Sequence, residues 1–503
     1  MPGPTTRERG APAARPPART GLRAVAALTL AALVLVAACG KKAGETRGAA
    51  SQAGGPANLL LVTLDTVRAD HLGAYGDAAA ETPSLDRLAR EGIRFAAASS
   101  PVPLTLPAHS SLLSGLLPPH HGLRNNGAGS FPADRPTLAT RLSAAGYRTG
   151  AFVGAFVLDH RFGLARGFDT YDDEMERDPS GGRGLDAERR GDQVVDRALA
   201  WLGKGDAASP ARPASRQPFF LWVHLYDAHA PYDPPAPYRD RHPGRPYDGE
   251  IAFADAQLGR LLAELDRLRL TAGTVVAVAA DHGEALGEHG ELTHGLLLYE
   301  PTLHVPLLLR GPGLAARVVA TPVSLVDLGP TLAGLLGKPL ATPGGSGGRL
   351  DGRDLAAALT RGEEPPPADL YAETRYPMIF GWSPLAALRR RDLKYIEAPR
   401  PEFYDLARDR REEVNLAARP DSAGPSRGFA DRLASIASSS RPTTPAPVTA
   451  GSDAESRARL ESLGYAGGGA GNARNASTAK PAANAADPRD RVALFRRFET
   501  ANT

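Results

Sequence analysis

Three stretches carry apolar residues almost without interruption for about the length of a buried strand: NLLLVTLDT from Asn58, PFFLWVHLY from Pro218 to Tyr226, and GTVVAVAA from Gly273 to Ala280. Apolar at both alternations, they predict strands covered on both faces. Between them the spacing changes to a helical period, in TPSLDRLAREG from Thr82, in the segment after Leu106, in PTLATRLSAAGY from Pro136, in DQVVDRALAWLGK from Asp192 and in EIAFADAQLGRLLAELDRLRL from Glu250. In the last, Ile251, Leu258, Leu261, Leu262, Leu265 and Leu268 recur on that period. Strands alternating with helices predict an α/β fold, a central, mostly parallel sheet with helices on both faces.

Each apolar run leads into groups with chemistry: the first into Asp65, the second into Asp227 and His229, the third into Asp281-His282-Gly283-Glu284. In open sheets of this class, ligands sit beyond the carboxyl ends of the strands. One aspartate there reads as a turn or helix cap; three such ends together point to a site. Asp65, Asp281 and His282 offer the oxygen and nitrogen donors that suit Zn, Mn or another hard-to-borderline divalent ion.

A hydroxyl stands out against this background. In PVPLTLPAHSSLLSG, Thr105 sits between two leucines, just ahead of a helix predicted over Leu106–Leu113 with Pro107 at an early position. An alcohol is a poor nucleophile at neutral pH, but a divalent ion lowers the pKa of an oxygen it holds, and a helix N-terminus favours an anionic group. Taken alone, Thr105 reads better as an N-cap; the strand-end cluster reverses that in favour of a nucleophile.

Composition bounds the rest. A chain of 503 residues, 42% of them hydrophobic, supports a sizeable core and excludes disorder throughout. The N-terminus reads as an address: Arg7, Arg9, Arg15, Arg19 and Arg23 precede an apolar run from Ala24 to Ala38, shorter than the ~20 residues that span a bilayer. The run ends in Val36-Ala37-Ala38-Cys39-Gly40, which resembles a bacterial lipobox with Cys39, the chain's one cysteine, as the lipidated residue; an ordinary cleaved signal or an uncleaved anchor is the alternative. Loss of residues 1–38 removes five arginines and Glu8, turning the net charge of +3 into about −1. That balance implies no nucleic-acid partner. The expected place is the bacterial cell envelope, as a membrane-anchored lipoprotein facing periplasm or exterior.

The blocks LLLVTLDTVRADHLGAYG, TPSLDRLAREGIRF, TLPAHSSLLSG, FLWVHLYDAHAPYDPP, DHGEALGEHG and VPLLLRGPG, in that order across residues 57–415, resemble the sulfatase family within the alkaline phosphatase superfamily. The resemblance implies an alkaline-phosphatase-like central sheet plus a small C-terminal antiparallel subdomain. It implies metal ligation by Asp65, Asp281, His282 and Thr105, with Thr105 at the nucleophile position. The ion would be Zn, Mn, Ca or Mg, one or two per chain.

The pattern departs from sulfatases proper, which carry a cysteine or serine, converted to formylglycine, in a C/S-x-P-S-R block. Here that block reads Thr105-Leu106-Pro107-Ala108-His109, Thr66 replaces the second of paired aspartates, and Ala155 replaces an expected lysine. The site is then similar to threonine-nucleophile members of the superfamily, the phosphodiesterases and phosphoglycerol transferases. His229 matches a histidine near the leaving group, and His294 a lysine that contacts the anion. An alternative has Asp227, His229 and His294 holding a second metal. Asn126, in HGLRNNG, and His109 are candidate substrate contacts; His224, His120 and His121 read as structural. The expected reaction is hydrolysis of a sulfuric or phosphoric (di)ester, the small anionic substrate standing alone or on a glycan or lipid. Rival readings are a phosphoglycerol- or phosphoethanolamine-type transferase and a non-catalytic, lipid-tethered binding protein.

The expected organisation is a signal peptide (1–38), a tether (39–56), the catalytic domain (57–340), a linker loop (341–365), the small subdomain (366–418) and a low-complexity tail with short helices (419–503). DAESRARLESLGY, in that tail, resembles a block that in similar proteins precedes tetratricopeptide repeats.

Overall fold

The computed structural model describes residues 57–127, 129–175, 188–207, 217–340, 349–439, 482 and 484–502. The expected signal, tether and Cys39, the Gly344–Gly348 loop and the 453–465 helix lie outside the described residues.

The three apolar runs are strands β1 (Asn58–Leu64), β2 (Phe219–Leu225) and β3 (Thr274–Ala280), with β1 paired in parallel to both neighbours. Every residue of β2 and β3 is buried, which is why neither alternates apolar with polar. Leu64 lies opposite Leu225 and Ala280. Asp65 and Asp281 therefore leave the sheet at the same level, one strand apart.

The full sheet has eight strands in the order Arg317–Val319, Ile93–Phe95, Leu307–Arg310, β3, β1, β2, Arg148–Val153 and Thr170–Asp172. Leu307–Arg310 runs antiparallel to both its neighbours, and the other pairings are parallel. The α/β reading with a mostly parallel sheet holds.

The small antiparallel sheet is a four-stranded meander of Asp369–Thr374, Leu385–Arg390, Leu393–Glu397 and Glu402–Asp405. Helix Ala423–Ser439 packs on it through Phe429, Leu433 and Ile436, against Tyr371, Leu388, Tyr395 and Phe403. The packed subdomain thus runs past the expected boundary at 418. The Pro-, Ser- and Ala-rich composition there masks three apolar anchors at helical spacing.

Two groups of contacts fasten this sheet to neighbouring segments. Lys394 Nζ, almost fully buried, lies 3.0 Å from Glu300 Oε1 and 2.8 Å from Glu412 Oε1, and Arg389 Nη1 lies 2.9 Å from Glu300 Oε2. At the end of the described chain, Phe495 packs against Tyr376 and Phe380, while Arg489 pairs with Glu402 and Arg400 with Asp490.

Candidate active site

Thr105 begins helix α1 (Thr105–Ser114), all ten residues of which are buried. Leu104 occupies the N-cap position and supplies no side-chain cap. The cap comes instead from Asn126, whose Oδ1 accepts the Leu106 N–H at 2.9 Å. One turn on, His109 Nδ1 donates to the Thr105 carbonyl at 2.8 Å. The first turn is therefore held from a loop and from within, and the Thr105 hydroxyl is not used for capping.

That hydroxyl lies 3.3 Å from Asp65 Oδ2 and 3.4 Å from His282 Nε2. His282 Nε2 is 3.8 Å from Asp65 Oδ1 and 3.7 Å from Asp281 Oδ2. One ligand atom from each of Asp65, Asp281 and His282 lies within 4.8 Å of the other two, and all three residues are wholly buried. Asp65 Oδ1 and Asp281 Oδ2 have no hydrogen-bond partner. Burial pushes the Asp65 carboxyl up to about 7, although His282 pulls the other way. Buried carboxylate oxygens without donors are costly. A divalent cation satisfies both, so the donor set fits one.

The other Asp281 oxygen, Oδ1, accepts the His282 N–H at 2.8 Å and the Thr66 N–H at 3.4 Å. Thr66 supplies that donor from a left-handed backbone, φ 55°, unusual for a β-branched residue. Its hydroxyl donates to the Ala228 carbonyl at 2.6 Å, and its own carbonyl accepts from Tyr247 Oη at 2.7 Å. The position that departs from the paired-aspartate pattern thus serves Asp281 through its backbone.

Around this centre stand three further side chains. The His294 ring lies 4.4 Å, centroid to centroid, from that of His282 and 5.1 Å from that of His229. His229 Nδ1 donates to the Ala230 carbonyl at 2.7 Å, and its Nε2 is buried without a partner. Burial holds His229 well below the ordinary histidine range and brings His294 down to about 4. Asn126 keeps its NH2 buried and unpartnered.

Two expected roles change. Asp227 Oδ1 accepts the Gly191 N–H at 2.8 Å, and its Oδ2, buried without a hydrogen-bond partner, lies where a Cβ on Gly191 would clash with it. Among the described residues Asp227, His229 and His294 form no group at metal-ligating distances. His109 does not open onto substrate space. It is wholly buried, with Nδ1 on the Thr105 carbonyl and Nε2 3.0 Å from Thr63 Oγ1.

Three residues that sequence reasoning passed over belong to the site. His224, read as structural, lies with Nε2 3.2 Å from Asp65 Oδ2 and Nδ1 3.0 Å from Thr63 Oγ1. Glu284 sits 2.9 Å from His294 Nδ1 and accepts from Tyr232 Oη at 3.0 Å; burial raises it to about 8. Thr63 gathers His109, His224 and Trp222 Nε1, each at 3.0 Å. The available signal was a histidine and a threonine inside otherwise apolar strands. His121, by contrast, is structural, its Nε2 3.0 Å from Ser111 Oγ.

Comparison with known proteins converges on one family. A model described as Sulfatase matches residues 57–338, more than half of the chain. Human arylsulfatase A is 29% identical over 366 residues, covering 64% of this chain and 71% of its own. The choline-sulfatase of Rhizobium meliloti is 28% identical over 443 residues, covering 73% and 83%. Among solved structures, the phosphonate monoester hydrolase of Agrobacterium radiobacter superposes with a TM-score of 0.64 at 23% identity, over 76% of this chain and 96% of that one.

Proposed function

The chain belongs to the sulfatase family of ester hydrolases, and from that premise we propose that it cleaves a sulfuric or phosphoric (di)ester with Thr105 as the nucleophile. The observation that carries this reading is the Thr105 hydroxyl, 3.3 Å from Asp65 and 3.4 Å from His282, beside two buried carboxylate oxygens without partners. A divalent ion held by Asp65, Asp281, His282 and Thr105 supplies a lowered hydroxyl pKa and charge stabilisation.

Thr105 Oγ1 attacks sulfur or phosphorus as its proton leaves toward Asp65 Oδ2. The bond to the ester oxygen breaks on the far side, and the alcohol departs. Water then attacks the same centre and frees Thr105 with release of sulfate, phosphate or, from a diester, a phosphate monoester. Asn126 donates its spare N–H to a nonbridging oxygen, and His294, fixed by Glu284, contacts another.

His229 protonates the leaving oxygen. With Nδ1 committed to Ala230, its Nε2 is a bare acceptor in the resting site. Binding of the anionic substrate favours uptake of a solvent proton at Nε2; once that proton has gone to the departing alcohol, neutral His229 takes one proton from the attacking water while Asp65 returns the other to Thr105.

A panel of aryl sulfate, phosphate monoester, phosphodiester and phosphonate esters, with metals added back after chelation, tests the reading. Loss of turnover in Thr105→Ala with metal retained supports it; full turnover in that variant overturns it. Tethering through Cys39 to the bacterial envelope is part of the same proposal, supported by the lipobox-like Val36–Gly40 pattern. Among the described residues no helix is long and apolar enough to cross a membrane. A Cys39→Ala form that stays in the membrane fraction would contradict lipid anchoring.

A further inference from the structure

We propose that Thr63, a hydroxyl inside β1 two residues before Asp65, is a positioning residue that fixes the Thr105 nucleophile against the Asp65–Asp281–His282 cluster by holding His109. The inference rests on the assignment of Thr105 as nucleophile.

The hydrogen bonds form a closed circuit. A hydroxyl has one proton to give and two lone pairs to accept with. Thr63 Oγ1 has three nitrogens at 3.0 Å: Trp222 Nε1, His224 Nδ1 and His109 Nε2. The indole N–H can only donate. His109 gives its Nδ1–H to the Thr105 carbonyl, which can only accept, so neutral His109 presents a bare Nε2. Thr63 therefore donates to His109 and accepts from Trp222 and His224, and its capacity is filled. All five residues, Thr105 included, are wholly buried.

This circuit ties the two elements that carry the reacting groups. Asp65 follows Thr63 on β1, and Thr105 opens α1, so the 3.3 Å separation of Thr105 Oγ1 and Asp65 Oδ2 depends on how α1 sits on β1. Asn126 holds the next residue's N–H, Leu106, but from a loop. The Thr63–His109 link holds α1 from the sheet. His109 Nδ1 also lies 3.5 Å from Asp281 Oδ2, yet that oxygen keeps no hydrogen bond. The ring thus braces the nucleophile without consuming a ligand atom.

A displacement of about 1 Å in a reacting group can cost about 10²-fold in rate. Such a loss falls on kcat, not on substrate affinity, because Thr63 does not touch substrate.

The test compares Thr63→Val, Thr63→Ser and His109→Asn with Thr105→Ala. Thr63→Val removes the hydroxyl and keeps the shape; Thr63→Ser keeps the hydroxyl; His109→Asn keeps a donor near the Thr105 carbonyl and drops the link to Thr63. Each is loaded with Co²⁺ alone for its visible absorption spectrum and metal stoichiometry, then assayed for kcat and KM.

The expected result is a kcat lowered about 10- to 100-fold in Thr63→Val and His109→Asn, with KM within about twofold. The cobalt spectrum should shift at unchanged stoichiometry, and Thr63→Ser should stay near wild type. If Thr63→Val does not fold, His109→Asn decides. Wild-type kcat and spectrum in either folded variant overturn the proposal, as does a Thr63→Ser impaired as far as Thr63→Val. Full turnover in Thr105→Ala instead overturns the nucleophile assignment itself.

Discussion

Asn126 Oδ1 accepts the backbone N–H of Leu106 at 2.9 Å while the NH2 of the same side chain stays buried and unpartnered. One amide therefore caps helix α1 with its oxygen, and its nitrogen is left for the role proposed above, as donor to the transferring group. The two halves separate by substitution. Asn126→Asp keeps the acceptor and loses the donor, so it should keep the cap and lose at least about 10²-fold in kcat, as removal of one anion-stabilising donor typically does. Asn126→Ala should lose stability as well, by about 1 kcal/mol for the cap. Thermal melting and steady-state kinetics on both variants check this.

Metal stoichiometry follows from the single ligand cluster at this centre. Asp65, Asp281 and His282 bring ligand atoms within 4.8 Å of one another, whereas among the described residues Asp227, His229 and His294 do not. Purified protein should carry one divalent ion per chain, and Asp227→Asn should leave that number unchanged. Asp281→Asn should abolish binding. Elemental analysis of the three proteins gives the answer, and two ions per wild-type chain would restore a second centre.

The Glu300–Lys394–Glu412 cluster joins the small sheet to the segment after β3 and should be costly to break. Lys394→Met leaves two buried carboxylates facing each other, and loss of one partner of a buried pair costs about 3–5 kcal/mol. Denaturant titration at neutral pH reads this directly.

The same cluster sets an acid limit. Burial alone would raise Glu300, but Lys394 and Arg389 outweigh it and hold the carboxyl well below the ordinary carboxylate range. A carboxyl depressed in the folded state adds stability that is full above its unfolded pKa of about 4.5 and fades as pH falls through its lower folded value. Wild-type stability should therefore fall across that window more steeply than that of a Glu300→Gln variant.

What was legible in the sequence was what burial writes plainly. β1, β2 and β3 were readable because both faces are covered, and Asp65, Asp281 and His282 because they break apolar runs at strand ends. The three-residue strands Ile93–Phe95 and, at the sheet edge, Arg317–Val319 carry no period long enough to read. Thr63 and His224 were hidden for the opposite reason: inside a strand a polar residue looks like satisfied core, and its importance lies in which strands pair beside it. His109 matched a substrate-contact position by resemblance to the sulfatase block, yet α1 is buried on every side, so its ring meets Thr63 instead of solvent. Glu284 follows His282 closely in the chain, but its role depends on Tyr232 and His294 folding back onto it. Helix Ala423–Ser439 was lost in a biased composition whose three anchors matter only against the sheet they cover.

The central claim is that Thr105 carries the transferring group covalently, and rapid acid quench followed by peptide mass spectrometry tests it most directly. In turnover with an aryl ester, the peptide containing Thr105 should gain one sulfuryl or phosphoryl group on that residue. The label should be absent in Thr105→Ala protein that still holds its metal. Turnover of that variant at the wild-type rate, or a label on any other residue, would contradict the account.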